Sequence, residues 1–174
     1  MNSKRIIGGL IAATLTATAA VPVFAHHSFS IFDASQTKTF TGVVTRVNPD
    51  ANHLQIFFAP MNEERKNVER GADGKPIVWA VEMGGSAASA QGGISVTSFP
   101  AGTVFTVSLH PLRSGEPAGA REGALYKCPL RAVQNAAGVV EQKQTPPAAG
   151  KHCDSVEGHI QIGGDDGVPR LTQN

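Results

Sequence analysis

The stretch TFTGVVTRVNPDANHLQIFF (Thr39–Phe58) decides how this chain is read. Its first nine residues, Thr39–Val47, alternate and are rich in β-branched side chains, as a half-buried strand requires. Gly42 sits inside that strand, and an interior glycine marks a bulge or a sharp bend. Asn48-Pro49-Asp50-Ala51-Asn52 is a cluster of turn formers. His53–Phe58 then sets Leu54, Ile56 and Phe58 on one face and His53, Gln55 and Phe57 on the other.

Outward from this hairpin, Ile77–Met83 (IVWAVEM) is the strongest strand, with Ile77, Trp79, Val81 and Met83 on one face and Val78, Ala80 and Glu82 opposite. Residues 60–76 between the two read as a charged, solvated and mobile connection. The small-residue segment GGSAASAQGGI has room for one or two helical turns. Thr103–Pro111 alternates again, with Phe105, Val107 and Leu109 inward and Thr106, Ser108 and His110 outward. Residues 112–123 read as a Gly/Pro loop. Ala124–Val133 reads as a fifth strand whose second half Pro129 pushes to an edge or an exit. Residues 134–151 have linker character, HIQIGG adds one short strand, and the last ten residues are expected to fray.

Three strands, a small insert and two strands define an all-β chain. A five-stranded Greek-key barrel with a short insert between strands 3 and 4, followed by a C-terminal extension, is the oligonucleotide/oligosaccharide-binding (OB) arrangement. A small sandwich satisfies the same periodicity. The domains expected are a leader over 1–25, an OB-like barrel over 26–133 and an extension over 134–174.

Residues 1–25 have the parts of a secretory signal peptide: Lys4 and Arg5, an uncharged apolar run from Ile6 to Ala20, and small or aliphatic residues at Val23 and Ala25. The apolar run is short for a retained anchor, and no second run follows. An exported, periplasmic protein without a membrane span is therefore expected, starting at His26 once cleaved. Removing the leader from a chain of 15 Lys+Arg and 14 Asp+Glu leaves 13 against 14, which offers no grip on nucleic acid. Two cysteines in an exported chain suggest a Cys128–Cys153 disulfide that ties the extension back. A thiolate metal site beside His152 is the other reading, although no CxxC spacing supports it.

Taken together, AHHSFSIFD (Ala25–Asp33), TGVVTRVNP (Thr41–Pro49), WAVEMG (Trp79–Gly84) and PAGTVFTVSLHPLRSG (Pro100–Gly115) resemble a family of exported bacterial proteins of unknown function. Its mature chains begin His-His-Ser-Phe, and the resemblance, over residues 25–126, implies a small β-barrel and export. The family phrase Asn-Pro-His departs here to NPDANHLQI, so Asp50 stands at the histidine position and His53 follows three residues later.

An N-terminal His26 offers an α-amine and an imidazole to one metal ion. His27 adds a second imidazole, and the amide nitrogen between them completes a nitrogen-rich, tetragonal set that favours Cu(II) or Ni(II). Copper is the expected cofactor. His53, Glu82 and His110, outward on their strands, are candidates to complete the metal site. The plain alternative has these side chains facing water. His152 and His159 read as surface residues, and Met61 and Met83 as core or loop. No nucleophile–base constellation, GxSxG, HExxH, P-loop or GxGxxG occurs, so no enzyme is expected. The two functional readings are a copper-binding or copper-handling protein and a binding or assembly module for a periplasmic partner protein or a small ligand.

Overall fold

Gly42 is the point where one long strand serves two neighbours. β1 (Lys38–Pro49) pairs antiparallel with β4 (Val104–Pro111) through Lys38–Val43 and with β2 (Leu54–Pro60) from Gly42 onward. A Cβ at Gly42 would lie 2.6 Å from the Phe58 ring and 2.9 Å from the Ala59 carbonyl oxygen, so only glycine lets the strand coil this tightly. A bulge at Thr45 adds to the bend. The computed structural model describes residues 29–164 and 170–171.

β2 pairs antiparallel with β3 (Trp79–Glu82), and β4 with β5 (Ala118–Lys127). The ring closes where β3 runs parallel to the first half of β5, with Ala80, Val81 and Glu82 opposite Ala118, Gly119 and Ala120. The result is a closed five-stranded barrel of order β1-β2-β3-β5-β4. The insert is a six-residue helix, α1 (Ser86–Gln91), between β3 and β4. Strand alternation accounts for the core: Leu54, Ile56, Phe58, Val81, Phe105, Val107 and Leu109 are fully buried. Phe105 meets Phe58 and Phe99 edge to face at 5.5 and 5.6 Å, and Ile94 and Phe99 carry the insert into the same core.

Several expectations change. The fifth strand is not Ala124–Val133: it starts at Ala118, inside the segment read as a loop, and ends at Lys127. Its opening Ala-Gly-Ala lacks strand formers, and at Gly119 a Cβ would collide with the His110 carbonyl oxygen on β4, so glycine is required there. Beyond Pro129, the second half of the strand read over Ala124–Val133 is a separate strand, β6 (Leu130–Gln134), and it forms a hairpin with β7 (Val140–Gln144), which lies in the segment read as linker. Residues 60–76 are tied rather than loose. Met61 bridges to Val68 and Arg70 to Pro76, and Arg65 donates to the carbonyls of Met61, Asn62 and Lys151.

The extension returns to the barrel. Cys128 and Cys153 form a disulfide, a 3-10 turn spans Cys153–Ser155, and β8 (Ile160–Ile162) pairs with the second half of β5. Arg170–Leu171 form β9, paired with β8, and the rest of the last ten residues lies outside the described residues. No helix among the described residues is long and apolar enough to cross a membrane.

Candidate functional site

His26 and His27 lie outside the described residues, as does the leader. The chain that follows them is pinned. Arg113 donates from Nε to the Ser30 carbonyl and from its backbone N–H to the Ile31 carbonyl, Phe32 bridges to Leu112, and the Asp33 N–H donates to the Pro111 carbonyl. This entry segment therefore runs antiparallel along the end of β4 and onto the β4–β5 connection. Asp33 braces the turn into β1. Its carboxylate accepts from the Ser35 hydroxyl and N–H and from Gln36 Nε2, and these bonds, with Arg113 nearby, hold its pKa below the usual range.

Strand adjacency brings His53 and Glu82 together. Gln55 on β2 sits opposite Glu82 on β3, and His53 precedes β2 by one residue. His53 Nδ1 lies 3.1 Å from Glu82 Oε1, and Gln55 Nε2 lies 3.5 Å from the other carboxylate oxygen. With side chains 37% and 30% exposed, the pair is open to solvent and reachable by an ion. Asp50 turns the preceding loop by accepting from the N–H groups of Asn52 and His53, which lowers its pKa.

His110 keeps other company. Its Nδ1 lies 2.8 Å from the Gln36 carbonyl oxygen, and its Nε2 lies 3.9 Å from Glu122 Oε2. Thr37 donates to the same Glu122 oxygen at 2.7 Å. Glu82 and His110 share Ala120 as register partner, one on each side of β5, so the two imidazole–carboxylate pairs lie on neighbouring strands but are separate. Sequence pattern does not reveal Glu122, because its Gly/Pro-rich surroundings read as a loop whereas the segment is the first half of β5. Among the described residues, no group of three or more His, Cys, Asp or Glu side chains is gathered to hold a metal ion.

Two histidines read as surface residues are not. His152 is half-buried over the barrel wall, with Nδ1 2.9 Å from Thr41 Oγ1. Thr41 Oγ1 lies 2.8 Å from Thr106 Oγ1, and Thr106 Oγ1 accepts from the Cys153 N–H. Thr106, expected to face water, is therefore buried under the extension. Burial, with Arg65 as the next cause, holds the His152 pKa below its ordinary value. His159 is buried, bonded through Nδ1 to the Val156 carbonyl and set edge-on to Tyr126. Met61 joins the cluster around the disulfide, Met83 joins the main core, and Trp79 packs on Phe40 beneath Lys38.

Elsewhere on the outer face of β1–β2, the Arg46 guanidinium lies 3.4 Å above the centroid of Phe57. A cleft of about 200 Å³ opens beside the entry segment, between Asp33, Lys38, Trp79, Arg113 and Glu116.

A family model described as "Family of unknown function (DUF6152)" matches residues 14–121. No curated protein and no solved structure matches the chain. The matched span runs through the barrel strands to the seam where β3 meets β5, and on that match the chain belongs to this family of unknown function, DUF6152.

Proposed function

We propose that this chain is an exported, periplasmic, non-enzymatic protein that binds Cu(II) through His26 and His27. The observation that carries this reading is the anchoring of the segment immediately after them. Ser30 to Asp33 are hydrogen-bonded or bridged to Pro111, Leu112 and Arg113, at the end of β4 and the start of the β4–β5 connection, and His27 is three residues from Ser30, a span of at most about 10 Å. Chain length alone limits how far a donor set at His26 and His27 can stand from that pinned segment. The set fits copper chemically: amine, amide and imidazole nitrogens suit a tetragonal Cu(II) centre. His53–Glu82 and His110–Glu122 supply two donors each on the barrel side, too few to form a site alone.

The test is Cu(II) titration against a competing chelator, using protein that begins at His26, with and without N-terminal acetylation. Acetylation is expected to abolish tight uptake. If His53 completes the site, His53→Ala weakens binding by about 10- to 100-fold. Equal copper affinity in the acetylated protein would falsify the reading.

The rival is a docking module without a metal role. It is favoured by the carboxylates already beside His53 and His110, and by the Arg46–Phe57 stack on an OB-type outer face. Its signature is a partner protein or small ligand that co-purifies with the metal-free protein and is lost in Phe57→Ala.

A further inference from the structure

β6 and β7 form a two-stranded sheet of their own among the described residues. Four apolar side chains there face water: Leu130, Val133, Val139 and Val140 are 61, 44, 56 and 65% exposed. The hairpin is nonetheless fixed to the body. Gln144 donates to the Val104 and Cys128 carbonyls, and the Thr145 N–H donates to the Pro129 carbonyl. One edge of β7 pairs with β6, and its opposite edge is a row of backbone donors and acceptors, a template for another strand.

The sequence of β7 names that strand. It reads Val-Glu-Gln-Lys-Gln, with Gln142 at its centre. A second copy laid antiparallel, Gln142 beside Gln142, sets Glu141 of each chain opposite Lys143 of the other. Residues two apart share a face, and directly opposite residues interact across strands. One two-fold axis through Gln142 therefore makes two opposite-charge pairs. Moving the axis to Glu141 or Lys143 puts like charges face to face, which disfavours those registers. Lysine on an edge normally keeps other strands away, but the glutamate two residues earlier makes this edge complementary to itself. A hydrogen bond of 2.6 Å from Asn135 Nδ2 holds the Glu141 carboxylate in place.

We propose that the free edge of β7 is a homodimer interface, two copies joining their hairpins into a four-stranded sheet. This goes beyond the copper reading and does not depend on it. Five residues of edge bury less than a standard interface, so the dimer is expected to dissociate on dilution.

The test is sedimentation equilibrium of the full mature chain at low ionic strength, with Glu141→Lys, Lys143→Glu and the double reversal. The wild type is expected to show concentration-dependent dimerisation. Each single reversal creates two like-charge contacts and weakens it by about 10-fold. The double reversal rebuilds both pairs and restores it, and added salt weakens the wild type and the double reversal alike. Three results would each overturn the proposal: a wild type monomeric up to about 1 mM, single reversals without effect, or a double reversal that fails to recover. Circular dichroism confirms that every variant is folded.

Discussion

At Thr106 a residue on the outside of the barrel lies in the interior of the protein. Its hydroxyl accepts the Cys153 N–H, contacts Thr41, and through Thr41 reaches His152. The chain of bonds is fully used in one sense only. Thr106 donates to Thr41, Thr41 donates to Nδ1 of a neutral His152, and Thr106 accepts from Cys153. Protonating His152 makes Nδ1 a donor to Thr41, which leaves one threonine hydroxyl hydrogen without an acceptor in this chain of bonds, and burial, then the nearby Arg65 charge, oppose the added proton. The pKa in the folded protein is lowered, so the unfolded chain takes the proton first. The contribution to stability is complete above the unfolded value of about 6.5 and is lost as pH falls through that value towards the lower folded one. Chemical denaturation at pH 7.5 and 5 is expected to show a larger loss in the wild type than in His152→Gln. A loss of equal size in both proteins counts against this role for the imidazole.

At the level of elements, the attachments of the extension to the barrel include the disulfide, the turn at Cys153–Ser155, whose first N–H bonds Thr106, and β8 on β5. The disulfide closes a loop of 25 residues, a constraint on the unfolded chain of about 3 kcal/mol. Cys128→Ser/Cys153→Ser is therefore expected to unfold at lower denaturant, with faster amide exchange at Ile160–Ile162 than in β1 and β4. Uniform acceleration across all strands would instead mean that barrel and extension open as one unit. Element by element, the sequence was legible wherever burial on one face imposes alternation. β1, β2 and β4 show it, and the adjacency of β2 and β3 puts His53 beside Glu82. It was illegible where other demands set the residues. Gly119 is a glycine because the β4 backbone at His110 crowds it, and β6 and β7 are exposed on both faces, so nothing imposes a period. Glu122, and with it the His110 pair, was lost along with the start of β5. The cover over Thr41 and Thr106 comes from residues more than forty positions away, which no local pattern announces.

Over the whole molecule, closure depends on the short seam between β3 and β5, and the chain's one tryptophan stands at the head of β3. Trp79 packs on Phe40 at 4.7 Å, with Lys38 over its ring, so its emission reports whether β3 is in place. A single core that spans all five strands should open cooperatively. Tryptophan fluorescence and far-ultraviolet circular dichroism are expected to give the same unfolding midpoint. A fluorescence change at lower denaturant would mean that the barrel opens at its seam before its remaining sheet is lost.

The two halves of β5 have different obligations. Ala118–Ala120 complete the ring against β3, while Leu125–Lys127 take β8 on their free side, and Gly123, at a φ of 66°, stands between them. The family match ends at residue 121, just after the ring is complete. The strand partner of β8 and the first disulfide cysteine follow that seam, Leu125–Lys127 and Cys128, but the extension also grips wall residues laid down earlier: His152 bonds Thr41, Cys153 bonds Thr106 and Gln144 bonds Val104. The architecture is thus a vessel with a strap added after its rim is shut, and the strap is buckled to the vessel's own wall.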